Sequence, residues 1–132
     1  MRSAIIAILI ITMGAIAFAQ WNEATQTFTP GDGQVALYDN YQCKGEPFMV
    51  VQRGRTYNDF RSYYVGASAS SGNWNDRVSC ISIGPNTKIT VYQHINFGGA
   101  SKTFGRTTNN PNGQWSLSGD WWNNSVSSCK VQ

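Results

Sequence analysis

Two stretches of the chain repeat an oxygen-rich pattern. Asn75-Asp76-Arg77-Val78-Ser79 and Asn123-Asn124-Ser125-Val126-Ser127 each set amide or carboxylate side chains a short step ahead of a hydroxyl. Calcium is a hard cation that takes roughly six to eight oxygens from carboxylates, carbonyls, hydroxyls and water. Asn75, Asp76, Ser79, Asn123, Asn124 and Ser127 offer that type of ligand. One such motif alone reads as a turn, because Asn and Asp side chains hydrogen-bond their own backbone. Two copies in matching context point instead to a cation. Other chemistry is poorly supplied. His94 is the only histidine, with no cysteine or carboxylate at zinc or nucleophilic-triad spacing. No carboxylates pair in a comparable context and no glycine-rich phosphate loop occurs, so the chain is not expected to be an enzyme.

The elements that must position these groups read as strands. Alternating runs such as Gln34-Val35-Ala36-Leu37-Tyr38 and Lys88-Ile89-Thr90-Val91-Tyr92 are bounded by turn residues, and beyond the N-terminal segment no apolar run has helical spacing. Any helix should be a single short turn. Laid on itself, the chain aligns residues 38–45 with 92–99, keeping an aromatic seven positions before a glycine, and residues 74–83 with 122–131. Each unit of about fifty residues opens with a strand and a tight glycine-containing bend, and closes with an Asn/Asp turn leading into another strand. Two units of four short strands predict an all-β fold, an antiparallel β-sandwich of two Greek-key motifs. Strand phase sets Ser79, Ile81 and Ile83 on one face and Val78, Cys80 and Ser82 on the other. Cys129 takes the place of Ile81 in the second unit.

Residues 1–19 read as an export signal. Arg2 supplies the positive start, residues 4–11 an apolar run, and Ala17-Phe18-Ala19 a small-x-small cleavage site before Gln20. The mature chain, about 113 residues, fits one domain. Its parts are an N-terminal arm over 20–33 and a duplicated domain over 34–132, with units at 34–84 and 87–132. A secreted, extracellular monomer is expected. The formal charge of +3 is spread over scattered Lys and Arg, which argues against nucleic acid. Beyond the signal no stretch is apolar enough to span a membrane. Three cysteines in an exported chain allow at most one internal disulfide and leave one thiol over. Asn123-Asn124-Ser125 is the only N-glycosylation sequon, and it overlaps the second oxygen motif. Trp74, Trp115, Trp121 and Trp122 offer faces for sugar stacking, but core and corner packing is the preferred reading.

On these residues the chain resembles the βγ-crystallin family, whose units join an aromatic-x6-Gly strand and folded hairpin to a closing Asn/Asp-Asn/Asp-x-x-Ser/Thr-Ser segment. Both parts occur twice, across residues 34–132. Within the family, Asp59-Phe60-Arg61-Ser62 and Gly84-Pro85-Asn86-Thr87-Lys88 are similar to the spherulin-type single-domain members of slime moulds. The resemblance implies two calcium sites, each where the closing turn of one unit meets the first hairpin loop of the other. Carried over by position, Asp76 and Asn124 give side-chain oxygens, Ser79 and Ser127 hydroxyls, and Arg77 and Ser125 backbone carbonyls. Asp39 and Gln93 stand where the family offers a loop carbonyl.

Departures from the family pattern predict weak sites. Cys80 replaces the closing serine of the first motif, Arg77 sets a cation beside that site, and the second motif holds no acid. Affinities in the range of about 10⁻⁵ to 10⁻³ M follow. In the family the closing serine holds the folded hairpin, so Cys80 is expected beside Cys43, as a Cys43–Cys80 disulfide. Cys129 then stays a buried thiol, against a competing reading in which it pairs with another chain. The resemblance implies a structural or stress-protective role with calcium stabilising the fold. The alternatives are a metalloproteinase inhibitor or killer-toxin-like protein of the same fold, presenting residues 66–72 as its loop, and a carbohydrate-binding module using the tryptophans.

Overall fold

The computed structural model describes residues 20–63 and 75–132. Residues 1–19, in which an export signal is expected, the 66–72 loop and Trp74 lie outside them. The arm folds into a small hairpin of β1 (Trp21–Asn22) and β2 (Thr27–Phe28). There follow β3 (Gln34–Tyr38), β4 (Met49–Gln52), β5 (Cys80–Ile83), β6 (Lys88–His94), β7 (Gly98–Gly105), β8 (Gln114–Ser116) and β9 (Ser128–Val131). Helical structure among the described residues is limited to one-turn 3-10 segments at Phe60–Ser62 and Ile95–Phe97.

Every strand pairing among the described residues is antiparallel, in a four-stranded sheet ordered β4-β3-β5-β8 and a three-stranded sheet ordered β7-β6-β9. The units exchange their third segments. β8 belongs to the second unit but pairs with β5 of the first, setting Trp115 opposite Ile81. In return, Tyr57 of the first unit bridges Cys129 on β9. This return segment is shorter than the strand expected from the repeat. Asp59 caps a 3-10 turn by accepting from the Arg61 amide, and the chain leaves the sheet edge after Phe60 N–H donates to the Ser127 carbonyl at 2.9 Å.

Alternation fills the space between the sheets. Val35, Leu37, Val51, Ile81 and Ile83 from one sheet meet Ile89, Val91, Phe104 and Cys129 from the other in one buried cluster. Leu37 lies opposite Ile81 and Val91 opposite Cys129, so the two units place equivalent residues at equivalent depth. Val78 corrects the strand-phase reading. It packs in this core with Ile81, not on the face of Cys80 and Ser82, because β5 begins only at Cys80 and the alternation does not reach back into the turn. Val126 does the same in the second unit.

The outer face of the first sheet is apolar too: Ala36, Tyr38, Cys43 and Cys80 form a second cluster, and Phe28 of the arm packs against it. The arm runs at contact distance from the sheet. A Cβ on Gly84 would meet the Gly31 carbonyl oxygen at 1.9 Å, so only glycine fits there.

The folded hairpins are closed by different chemistry in the two units. Cys43 and Phe97 hold equivalent left-handed positions, at φ 53 and 60, each followed by a glycine at positive φ, Gly45 and Gly99. In the second unit the Ser128 hydroxyl donates to the His94 carbonyl at 2.7 Å and accepts from Phe97 N–H at 3.1 Å. In the first, Cys80 stands in the serine's place and is disulfide-bonded to Cys43. A covalent bond thus does what a hydroxyl does across the pseudo-twofold. The bond spans 37 residues, for which loop-closure entropy is worth about 4 kcal/mol. The Cys43→Ala/Cys80→Ser pair should therefore lose a large part of that stability in urea; an unchanged midpoint would contradict the assignment.

Cys129 is a free thiol with no exposed surface, as its place opposite Val91 in the core requires. Burial pushes its pKa up. The unfolded thiol titrates near about 8.5, so the linked stability is complete below that pH and is lost above it, as the unfolded state releases a proton the folded state keeps. Between about pH 8.5 and 10 the unfolding free energy should fall by up to about 1.4 kcal/mol per pH unit in the wild type. In Cys129→Val that slope should vanish up to about pH 9.5, above which the raised pKa values of buried Tyr38 and Tyr57 bring a slope of their own; its persistence below that pH would show that another group titrates.

Candidate metal centre

The closing turns require left-handed backbone at one position each, and Asp76 at φ 59 and Asn124 at φ 57 occupy it. Asn and Asp tolerate this conformation better than other side chains with a Cβ. The two turns clasp each other: Asp76 N–H donates to the Val126 carbonyl and Asn124 N–H to the Val78 carbonyl, both at 3.0 Å. The side chains cross in the same way. The Ser127 hydroxyl donates to Asp76 Oδ1 and the Ser79 hydroxyl to Asn124 Oδ1, each at 3.3 Å.

Main-chain bonds from the serines set the rest. Ser127 N–H reaches the Tyr92 carbonyl at 3.0 Å, which brings Gln93 alongside, and Ser79 N–H reaches the Tyr38 carbonyl at 2.8 Å, which brings Asp39 alongside. One group therefore gathers Asp76 with Ser127, Ser125 and Gln93, and opens on a cleft of about 570 Å³. Ser125 spends its hydroxyl on the Trp121 and Asn123 carbonyls, at 3.0 and 3.3 Å, which leaves its own carbonyl as the oxygen it can offer. The pseudo-symmetric group holds Asn124 and Ser79, with Arg77 two residues ahead of the serine and exposed Asp39 at the end of β3. Each motif is thus split between the two groups. The acid of the first motif serves the serine of the second. Adjacency in sequence sets Asp76 beside Arg77, whereas the Asp76 carboxylate crosses to the serine of the other unit.

The donor set fits calcium. Its members are oxygens, and a 3.3 Å spacing suits neighbouring ligands held at about 2.3–2.6 Å from one ion. Asn123 gives its Nδ2 to the Tyr41 hydroxyl at 3.0 Å and leaves Oδ1 buried with no hydrogen-bond partner, an acceptor a cation would satisfy. Among the described residues no three His, Cys, Asp or Glu side chains gather, so the chemistry of zinc is not supplied. Arg61 also lines the cleft, a neighbour that sequence reasoning missed. Its guanidinium grips Asp59 at 2.9 and 2.8 Å, and these bonds hold the Asp59 carboxyl below the usual carboxylate range. The cation in the cleft is thereby offset by its own counter-ion. His94 lines the same cleft, while its carbonyl serves the hairpin clasp.

The tryptophans divide. Trp122 is buried in the core, and Trp115 is partly buried with its indole N–H on the Gly105 carbonyl at 3.0 Å. Trp121 departs from the packing expectation and is 57% exposed.

No family model matches the sequence, and no curated protein does. Solved structures match well. One, from work on the evolution of the eye-lens βγ-crystallin domain fold, is 27% identical with a TM-score of 0.61, over 80% of this chain and 91% of that one. The fold is that of a βγ-crystallin domain. The N-terminal domain of protein S is 21% identical, with a TM-score of 0.53, over 75% of this chain and 94% of its own. A βγ-crystallin domain from Clostridium beijerinckii gives 21% and 0.51, over 74% and 94%. A clostrillin variant carrying two introduced histidines, 20% identical with a TM-score of 0.52 over 74% of this chain and 95% of its own, was solved in complex with nickel.

In this βγ-crystallin fold the turn geometry can be tested apart from any ion. Asp76→Ala places a Cβ-bearing residue with no polar compensation at φ 59, whereas Asp76→Gly does not. With calcium chelated, the alanine variant should be about 1 kcal/mol less stable than the glycine variant. Equal stability would mean that the turn relaxes.

Proposed function

We propose that the chain is an exported calcium-binding protein of the βγ-crystallin fold, in which cations clamp the two closing turns together and stabilise the sandwich, in a structural or stress-protective role. The crossed pairs, Ser127 with Asp76 and Ser79 with Asn124, carry this reading. Each joins an oxygen of one unit to a hydroxyl of the other, at the spacing of neighbouring calcium ligands. At 3.3 Å these are long bonds for hydroxyl donors, and the same oxygens turned on a cation would bind it only in the native state. Asp76, Ser127 and the carbonyls of Ser125 and Gln93 would hold one ion; Asn124, Ser79 and the carbonyls of Arg77 and Asp39 would hold the other. Export rests on Arg2, the apolar run over 4–11 and Ala17-Phe18-Ala19.

With a single carboxylate among the side-chain ligands, affinity in the range of about 10⁻⁵ to 10⁻³ M is expected. A hundredfold excess over the dissociation constant stabilises the native state by ~2.7 kcal/mol. The melting temperature of the exported chain should therefore rise with millimolar calcium. Asp76→Asn keeps the left-handed turn and removes the charge, so it should weaken calcium binding roughly tenfold, whereas Asn124→Asp should strengthen it at the other site. A wild-type melt indifferent to calcium would end the proposal.

A further inference from the structure

Among the described residues, the large hydrophobic side chains left exposed are Tyr41, at 44%, and Trp121, at 57%. They come from different units but share one rim. Tyr41 lies in the first folded hairpin and Trp121 in the closing turn of the second unit. Asn123 joins them by donating Nδ2 to the Tyr41 hydroxyl at 3.0 Å, across 82 residues of sequence. Trp121 is held in place. Its ring stands perpendicular to buried Trp122, with centroids 4.8 Å apart and an interplanar angle of 89°. Its carbonyl accepts from Ser125, and the Asp120 carboxylate caps the turn at Trp122 N–H, 2.9 Å away. Sandwich packing requires neither an exposed indole nor its fixed orientation.

We propose that this rim is a carbohydrate-binding site, with the Trp121 indole as the stacking platform for one sugar ring of a neutral polysaccharide and Tyr41 on its flank. The face of a pyranose is a sheet of C–H bonds edged by hydroxyls, and it suits an indole bordered by amides and hydroxyls. The border here is mixed but balanced: exposed Gln42 and Ser118 bring uncharged donors and acceptors, and exposed Asp39 and Lys44 bring one charge of each sign. Lys102 is paired with Asp120 at 3.5 Å and Lys44 stands alone in the Tyr41 hairpin, which among the described residues falls short of the basic cluster that an anionic membrane surface would favour. Among the described residues no large aliphatic side chain is exposed beside Trp121 to enter acyl chains.

The test is depletion of the exported chain from solution by insoluble cellulose, chitin and β-1,3-glucan. Phosphatidylcholine/phosphatidylserine vesicles serve as a separate arm. Calcium is present throughout, so the outcome does not depend on whether the cation sites work. Wild type should be retained by at least one polysaccharide, and Trp121→Ala should bind at least tenfold less. Trp121→Tyr, which keeps a flat face and the perpendicular packing, should recover much of the loss; if Trp121→Ala fails to fold, this variant and Tyr41→Ala carry the comparison. Retention by none of the polysaccharides, retention by vesicles alone, or equal retention of wild type and a folded Trp121→Ala would each overturn the proposal.

Discussion

The exchange of third segments is the constraint from which the rest of the structure follows. β8 completes the sheet of the first unit, and Tyr57 closes the edge of the second, so neither unit presents a full sheet by itself. Burial follows the same rule. Val35, Leu37 and Ile81 face Ile89, Val91 and Cys129 across the interior, and removing either unit would expose the other's core face to water. The exchanged residues are themselves packed in: Tyr57 and Phe60 are buried, and the Tyr57 hydroxyl accepts from Gln52 N–H at 2.9 Å.

Because the third segments cross, the closing turns are brought together and their side chains cross too. A ligand set that borrows its charged oxygen from one unit and its hydroxyl from the other exists only when both units are folded and docked. This is why an ion at Asp76 and Ser127 would act on global stability and not on a local loop. Adjacency in sequence puts Asp76 beside Arg77, whereas the left-handed turn at Asp76 sends its carboxylate across the junction.

Much of this was legible in the residues. Period-two alternation marks β3 and β6, the duplicated Asn/Asp turns mark the junction, and Cys80 in the place of the closing serine, set against the family pattern, marks its partner Cys43. What was hidden depends on three-dimensional neighbours. Val78 looks like a strand residue until the start of β5 is known. Trp121 looks like core beside Trp122, because two adjacent indoles in a turn cannot be ranked for burial from sequence. The arm carries no alternation long enough to read, yet Phe28 covers the outer face of the first sheet, where Ala36 and Tyr38 would otherwise be exposed. Arg61 reaches the cleft only because Asp59 turns the chain there.

The position of the arm has a consequence for the disulfide beneath it. Thiol–disulfide exchange proceeds by attack of a thiolate on one sulfur, and so needs an open approach to that atom. Cys43 and Cys80 are 3% and 2% exposed and lie in the cluster that Phe28 covers. Once Phe28 is seated, an external reductant must wait for the arm to lift. The crosslink is thus sheltered by the packing of a short N-terminal hairpin, a cover that the second unit, closed by Ser128, does not require.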